Sequence, residues 1–377
     1  MAKVLILAID GGGIKGIIPA TFLQYIEQQT GKSCYQLFDI IGGTSTGGII
    51  STTLTTINPQ TDVPYTAAEI LEFYCNENDA KQIFDGQSDG ILEAKYKSSG
   101  VESFLQSKLG NTETLSSSYK KIVITLQSKV KQMFTTSYIV NSNGNEQSNP
   151  IQGQDYGPYL FNWYDAINSN NGINDYYVWE AARSSSAAPT YFPIAQVGGG
   201  QNGRSQASTK WTVDGGTMSN NPAMWAISEA FRTGIATKLE DIILISLGTG
   251  VYKGSAGVIT TNQGGWSICL GEIPDNGNWG TCPWIMSDLY DLEKNESRGT
   301  ILNVVLNAVQ FVTNQQIAAF QKAGLTYFRL EPEDLTFAQS QMDNINSENI
   351  SSLQTVANNY ISANNQLFQK ITSILNQ

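Results

Sequence analysis

The stretch KVLILAIDGGGIKGIIPATFLQYIEQQTG (3–31) decides the fold of this chain. Residues 3–9 form an apolar run, which is typical of a strand buried on both faces of a parallel sheet. A glycine-rich turn follows, and residues 17–31 then have helical periodicity and end at Gly31, a residue that commonly terminates helices. The next stretch, LFDIIGGTSTGGII (37–50), repeats the order of strand, turn and helix. This order predicts an α/β fold with a mostly parallel central sheet flanked by helices.

The rest of the chain continues this pattern. Further strands are predicted at 121–126, 210–216 and 241–250. Helices are predicted where caps or apolar periodicity occur, at about 44–56, 66–78, from Asn221–Pro222 onward, 300–320 and 347–376. The polar stretches 141–149, 168–175 and 198–209 look like surface loops. We therefore expect residues 1–377 to form one domain, with a motif-bearing core over about 3–250 and a helical part over about 295–377.

Composition narrows the class of protein. The chain has 377 residues, of which 41% are hydrophobic, and a net charge of −11. This length and composition allow a sizeable core. The negative charge disfavours a nucleic-acid polymer as partner. The chain has no histidine, which removes the usual zinc and non-haem iron sites, so we expect neither a metal nor a cofactor.

The cysteines and the first residues suggest a cytoplasmic location. The four cysteines are far apart and form no C-x-x-C pair, which favours a reduced protein: Cys34, Cys75, Cys269 and Cys282. The apolar run before Asp10 is too short for a signal-peptide core, and no apolar run reaches the length of a transmembrane helix.

The glycine-rich turn has two interpretations. Gly11, Gly13 and Gly16 satisfy the G-x-G-x-x-G pattern between a strand and a helix, which is the context of dinucleotide binding. The acidic residue expected at the end of the second strand is missing, and Lys15 is not in a Walker motif. The alternative is a loop whose backbone N–H groups stabilise an oxyanion, because glycines allow the backbone to approach a reacting centre.

The stretch GTSTG (43–47) places Ser45 in a G-x-S-x-G pattern between an apolar strand and a helix, the context that a nucleophile elbow requires. Gly43 and Gly47 would relieve crowding around Ser45, and the N–H of Thr46 would help to hold the oxyanion. Because the chain lacks histidine, a carboxylate is the remaining common base. Its weaker basicity would be offset in part by burial and by a good oxyanion hole.

Asp214 is the strongest candidate for this base. It ends the predicted strand KWTV, and Gly215 and Gly216 follow it, so the chain turns sharply with little bulk around the carboxylate. Open α/β sheets place their sites at the carboxyl ends of strands. The alternative is an ordinary turn residue, since Asp-Gly pairs are common in turns.

Four blocks in this order resemble the patatin-like phospholipases: DGGGIKG (10–16), GTSTG (43–47), ARSSSAAPTYF (182–192) and DGG (214–216). The resemblance runs from about residue 3 to 250. It implies a calcium-independent lipid acyl hydrolase that acts on membrane lipid with a Ser–Asp dyad. Ser45 would be the nucleophile and Asp214 the base. The oxyanion donors would be Gly11, Gly12, Gly13 and Thr46, with Lys15 at the conventional basic position of the first block and Arg183 in a structural role.

Other hypotheses remain open at this point. Bacterial patatin-like proteins include effectors switched on by a cyclic nucleotide, so a cyclic oligonucleotide activator is one prediction that the resemblance permits. A storage or binding protein that retains the fold is another, and a dinucleotide-binding protein is a third. The segment 264–290 is rich in glycine and tryptophan and departs from the family pattern, so we expect either packed surface aromatics or a lid that contacts lipid.

Overall fold

The central sheet joins strands from the beginning, the middle and the C-terminal third of the chain. The computed structural model describes residues 3–86, 88, 93–142, 156–252, 265–267, 271–273, 289–291, 296–298 and 301–377. Within these residues the strands are β1 (Val4–Ile9), β2 (Ile40–Gly43), β3 (Ile57–Asn58), β4 (Val63–Pro64), β5 (Gln132–Ser142), β6 (Gly157–Asn162), β7 (Ala195–Val197), β8 (Lys210–Asp214), β9 (Ile242–Leu247), β10 (Gly265–Ser267), β11 (Gly271–Ile273), β12 (Leu289–Asp291), β13 (Glu296–Arg298) and β14 (Thr326–Leu330).

The strand order confirms the predicted α/β architecture. The main sheet has the order β14-β9-β1-β2-β5-β8-β7, and β6 also pairs with β5. The five strands from β14 to β5 are parallel neighbours. The strands β6, β8 and β7 are added antiparallel. The sheet is therefore mostly parallel, with an antiparallel side beyond β5.

Helices cover both faces of this sheet. In the described residues the α-helices are α1 (Ile17–Thr30), α2 (Cys34–Leu37), α3 (Thr46–Leu54), α4 (Ala67–Cys75), α5 (Glu77–Ile83), α6 (Ser98–Leu109), α7 (Leu115–Tyr119), α8 (Trp163–Ile167), α9 (Val178–Ser185), α10 (Gly216–Ser219), α11 (Ala223–Arg232), α12 (Ile301–Lys322), α13 (Phe337–Ser340), α14 (Ser347–Ala363) and α15 (Asn365–Leu375). Short 3-10 helices occupy Gly13–Gly16, Asn170–Gly172 and Leu239–Asp241, and a π-helix occupies Lys120–Thr125.

The first strand shows why the sheet is buried on both sides. Leu5, Leu7 and Ile9 belong to one apolar cluster. The alternating residues Val4, Ile6 and Ala8 belong to another. Because successive side chains of a strand point to opposite faces, β1 packs against two helical layers, as its continuous apolar run predicted.

Two secondary-structure predictions were wrong. Residues 121–126 are not a strand: the chain continues from α7 into a π-helix in which Ile122 is buried while Ile124 is 60% exposed. The predicted C-terminal helix is two helices, because Asn364 leaves helical geometry with φ −113° and ψ 27°. The strands β5, β6 and β14 were not predicted.

The length of β5 positions the antiparallel strands. Thr135 of β5 lies opposite Gly43 at the end of β2, and β5 then runs on to Ser142. Asp214, the last residue of β8, pairs with Ser137. Two residues of strand correspond to roughly 7 Å. The end of β8 therefore lies just beyond the edge of the sheet at which β2 ends.

Two further observations concern membranes and the glycine- and tryptophan-rich segment. Among the residues that the structure describes, no helix is both long enough and apolar enough to cross a membrane.

Of the segment 264–290, the structure describes only the backbone of β10, β11 and part of β12. The side chains on which the lid hypothesis depends, those of Trp266, Trp279 and Trp284, lie outside the described part.

Candidate active site

Ser45 lies at a sharp turn between β2 and α3. Its backbone has φ 54° and ψ −121°, a conformation that non-glycine residues rarely adopt, and α3 begins at the next residue. Its side chain is half-buried. Strained backbone of this kind is concentrated at functional sites. The turn therefore has the strand–turn–helix geometry of a nucleophile elbow.

Gly43 and Gly47 lie so close to neighbouring backbone atoms that there is no room for a side chain. A Cβ atom at Gly43 would lie 2.0 Å from the carbonyl oxygen of Gly47, and one at Gly47 would lie 2.1 Å from that of Ile9. Both distances are far below van der Waals contact, so only glycine fits. Gly16 is similarly confined, since its Cβ would lie 2.4 Å from Oγ1 of Thr46. The structure thus accounts for these three glycines by packing.

The glycine-rich turn follows β1 at the same edge of the sheet, since Ile9 pairs with Gly43. The N–H of Gly11, which was predicted as an oxyanion donor, donates to the carbonyl of Asn220 at 3.1 Å. Gly11 is needed for space instead, because its Cβ would lie 2.5 Å from Oδ1 of Asn220 and 3.1 Å from Cβ of Ser45.

The N–H groups of Gly12, Gly13 and Thr46 are free of hydrogen bonds to other described residues. Thr46 is the first residue of α3, and the first N–H groups of a helix have no partner within it. Gly13 and Thr46 both line the pocket into which Ser45 faces. These groups are the donors that the site offers to a developing negative charge.

Asp214 is close to Ser45 and is 5% exposed. Its Oδ1 accepts a hydrogen bond from the N–H of Gly216 at 2.6 Å. Its Oδ2 is buried and has no partner of normal hydrogen-bond geometry in the described structure. The Ser45 hydroxyl is nevertheless close enough to stabilise the carboxylate. The contact between them is therefore longer or more bent than a normal hydrogen bond, as is common before substrate binds.

Burial raises the pKa of Asp214 from 3.8 to about 6. The Ser45 hydroxyl, the N–H of Gly216 and the charge of Arg183 each lower it in part. A carboxylate with this pKa is a stronger base than an exposed aspartate and is still mostly ionised at neutral pH. Gly215 makes the turn possible, because a Cβ there would lie 2.1 Å from Oγ1 of Thr136.

The two basic residues of the motifs do not touch the Ser45–Asp214 pair. Lys15 is half-buried, and burial lowers its pKa while Glu331 and Asp10 raise it. Arg183 is 1% exposed, and its Nη2 donates to the carbonyl of Pro193 at 2.8 Å. This burial agrees with the structural role that was predicted for Arg183.

An ion pair holds the residue that begins the glycine-rich turn. Nη1 and Nη2 of Arg329 bind Oδ1 and Oδ2 of Asp10 at 2.9 and 2.5 Å. Arg329 also binds Glu331 through Nε at 3.1 Å. It lies on β14, a strand that the sequence did not predict. The C-terminal part of the chain therefore holds the start of the glycine-rich turn through the ion pair between Arg329 and Asp10.

A second C-terminal contact covers the other side of the turn. The N–H of Ile14 donates to the carbonyl of Met342 at 2.8 Å, and a Cβ at Gly13 would lie 2.2 Å from that oxygen. A dinucleotide would place its pyrophosphate over such a turn. Here a backbone oxygen occupies that position, which argues against dinucleotide binding.

An apolar pocket opens at Ser45. Its described wall includes Gly13, Ser45 and Thr46. Apolar side chains make up much of the rest: Ile49, Phe73, Ile83, Phe84, Phe192 and Met342. A pocket of this character suits a hydrocarbon chain.

The sequence of this chain is similar to those of known proteins. The model of the patatin-like phospholipase family matches residues 7–227. "Patatin-like protein 2" of Arabidopsis thaliana is 26% identical, over 92% of this chain and 80% of that protein. "Patatin-17" of Solanum cardiophyllum is 27% identical, over 95% and 83%. "Probable inactive patatin-3-Kuras 1" of Solanum tuberosum is 26% identical, over 95% and 86%.

Proposed function

This chain belongs to the patatin-like phospholipase family, and we propose that it is a lipid acyl hydrolase that cleaves carboxylic esters of membrane lipids through an acyl-serine intermediate. One observation carries the proposal. Ser45 stands in a strained elbow beside a buried Asp214 and faces an apolar pocket with free N–H donors. A nucleophile, a base, an oxyanion site and space for an acyl chain therefore lie together.

In the proposed mechanism, Asp214 takes the proton of the Ser45 hydroxyl as Oγ attacks the carbonyl carbon of the ester. The N–H groups of Gly12, Gly13 and Thr46 stabilise the oxyanion. The intermediate collapses, the alcohol leaves with the proton from Asp214, and an acyl-serine remains. Asp214 then deprotonates a water molecule that attacks the acyl-serine, which releases the fatty acid and restores Ser45.

The alternative is a storage or binding protein that retains the fold without activity. One relative is named as probably inactive, so family membership by itself does not assign activity. The strained φ of Ser45 and the raised pKa of Asp214 favour the enzyme, because strained backbone and shifted pKa values are concentrated at functional sites.

The proposal is tested with the purified full chain on fatty-acyl esters and phospholipid vesicles. We expect release of fatty acid, faster cleavage of long-chain than of acetyl esters, and covalent labelling of Ser45 by a fluorophosphonate, located by mass spectrometry. Added EDTA is not expected to reduce the rate. A Ser45 that takes up no probe, in protein that hydrolyses no ester, would favour the storage or binding alternative.

The pKa of Asp214 predicts the pH dependence. Because its pKa is raised to about 6 and the base must be ionised, kcat/KM should be constant above pH 7 and fall as the pH drops through about 6. Each further pH unit should cost about tenfold. The measurement is a pH–rate profile with a neutral ester substrate. A midpoint near 4 would mean that Asp214 is not the buried base.

The proposal also covers the location of the chain and its activation. We propose that residues 1–377 act as one cytoplasmic domain that touches membranes only at their surface. A cyclic oligonucleotide activator is proposed on the resemblance alone, and hydrolysis measured with and without cyclic dinucleotides and trinucleotides tests it. Equal rates in all cases would remove the activator from the proposal.

A further inference from the structure

Ser185, the last residue of α9, is hydrogen-bonded to Ser45 and to Gly215, the residue that follows Asp214. Its Oγ accepts a hydrogen bond from the backbone N–H of Ser45 at 2.9 Å. Its carbonyl accepts one from the N–H of Gly215 at 3.2 Å, the residue that follows Asp214. The two candidate catalytic residues are 169 positions apart in sequence (214 − 45), and Ser185 links them through one residue.

The segment around Ser185 is itself fixed to the sheet. The carbonyl of Ala187 accepts a hydrogen bond from the N–H of Asp214 at 2.9 Å. The hydroxyl of Ser137, on β5, is 3.2 Å from the carbonyl of Ser184 and 2.9 Å from that of Val213. The end of α9, β5 and the end of β8 therefore form one connected unit, and Ser185 extends it to Ser45.

The N–H of Ser45 depends on this contact. With φ at 54°, Ser45 stands outside the helical ladder of α3, so its N–H needs an acceptor from elsewhere in the fold. The acceptor is also confined: a Cβ at Gly48 would lie 2.7 Å from Oγ of Ser185. A side chain in such a close-packed place keeps its position, and it holds the peptide group of Ser45 with it.

We propose that Ser185 is a positioning residue that fixes the nucleophile Ser45 relative to its base Asp214. This inference rests on the proposed function. Ser185 does not touch substrate, because the described wall of the pocket includes Ser186 but not Ser185. It acts through the backbone of Ser45. Because the N–H of Ser45 donates to Oγ of Ser185, that N–H does not stabilise the oxyanion, and the N–H groups of Gly12, Gly13 and Thr46 remain as the donors.

The test compares Ser185→Ala with Ser184→Ala in the full chain. The two variants lose the same atoms from adjacent residues, but Oγ of Ser184 is buried and has no hydrogen-bond partner among the described residues. We expect Ser185→Ala to lower kcat by about 10- to 100-fold with KM within about twofold, because a small misplacement of a nucleophile costs this much. Ser184→Ala should keep the wild-type kcat.

Two further readouts separate positioning from a general loss of structure. The rate of labelling by a fluorophosphonate should fall with kcat in Ser185→Ala. The pH midpoint of kcat/KM should rise, because the Ser45 hydroxyl lowers the pKa of Asp214 and would no longer be held beside it. Ser185→Cys keeps a side chain of similar shape but offers only a weak hydrogen-bond acceptor. Its kcat should therefore lie between that of Ser185→Ala and that of the wild type.

The outcomes are distinguishable. An inactive and unlabelled wild-type protein would overturn the proposed function and this inference together. An active wild-type protein with a fully active Ser185→Ala variant would overturn the inference alone, as would an equal loss in Ser184→Ala. Should Ser185→Ala not fold, an unchanged kcat and pH midpoint in Ser185→Cys would also overturn it.

Discussion

Replacing Ser45 with alanine is expected to abolish ester hydrolysis, with a loss in kcat/KM of about 10⁴-fold or more. The variant lacks the oxygen that would form the proposed acyl-serine, and Ser45 lines the pocket with Gly13 and Thr46. The fold should remain intact because the hydroxyl contributes little to packing: Ser45 is half-buried, and its backbone N–H keeps the bond to Ser185.

Asp214→Asn should lower kcat by about 10²- to 10⁴-fold, since an amide cannot accept the proton of the serine. The amide oxygen can still accept the N–H of Gly216, which bonds Oδ1 at 2.6 Å in the wild type. The turn should therefore hold its shape. The reaction is followed as release of fatty acid from a long-chain ester, and circular dichroism verifies the fold.

A matched control is available in the same chain. Asp62 is an exposed turn residue with φ 57°, a conformation that asparagine also tolerates. Asp62→Asn makes the same chemical change away from the pocket and should leave kcat unchanged. Full activity in Ser45→Ala or in Asp214→Asn would contradict the dyad.

The residues that belong to a local pattern were predictable from the sequence. The elbow at Ser45 is encoded by five consecutive residues and by the apolar strand before them, and its glycines are explained by contacts within that turn and with β1. A buried parallel strand such as β1 can be predicted from its continuous apolar run alone. The start of the fold and the sharp turn at Ser45 could therefore both be predicted from the sequence.

The argument that made Asp214 a candidate holds only in part. The rule about carboxyl ends concerns parallel strands. Asp214 ends an antiparallel strand, and it reaches the site because β5 extends beyond β2 and pairs with β8 there. The sequence gives no sign of this extension. The misassigned stretch 121–126 shows a related limit, because a short apolar run fits a strand and a helix equally well.

The supporting residues could not be predicted because their contacts are distant in sequence. Arg329 and Asp10 are separated by 319 positions, and Ser45 and Ser185 by 140. Nothing in a window of ten residues distinguishes such an arginine from a surface residue. The hydrogen bond from the N–H of Gly11 to the carbonyl of Asn220 was not predicted, for the same reason.

Arg329→Met is expected to cause the largest loss of stability, a decrease of about 3–5 kcal/mol in the free energy of unfolding. The side chain of Asp10 is 1% exposed, and the guanidinium of Arg329 binds both of its oxygens. Burial raises the pKa of Asp10 and the positive charge of Arg329 lowers it. Without Arg329, the buried carboxylate loses its counter-ion and two hydrogen bonds.

A pH series tests the electrostatic origin of this loss. Since the pKa of Asp10 is already raised in the folded state and would rise further in Arg329→Met, folding would favour the protonated form. The stability of the variant should thus be retained at low pH and fall as the pH rises through the folded-state pKa. Its deficit relative to wild type in urea unfolding should be smaller at pH 5 than at pH 8.

Two companion variants decide whether the ion pair is responsible. Asp10→Asn with Arg329→Met removes both charges and should recover part of the loss, because it leaves no unpaired buried charge. Lys81→Met removes the exposed pair with Glu77, whose side chains are 62% and 61% exposed, and should change stability by no more than about 0.5 kcal/mol. An equal deficit at pH 5 and pH 8, unrelieved in the double variant, would mean that Arg329 acts by packing. The glycine-rich turn would then be held by packing and not by the ion pair between Arg329 and Asp10.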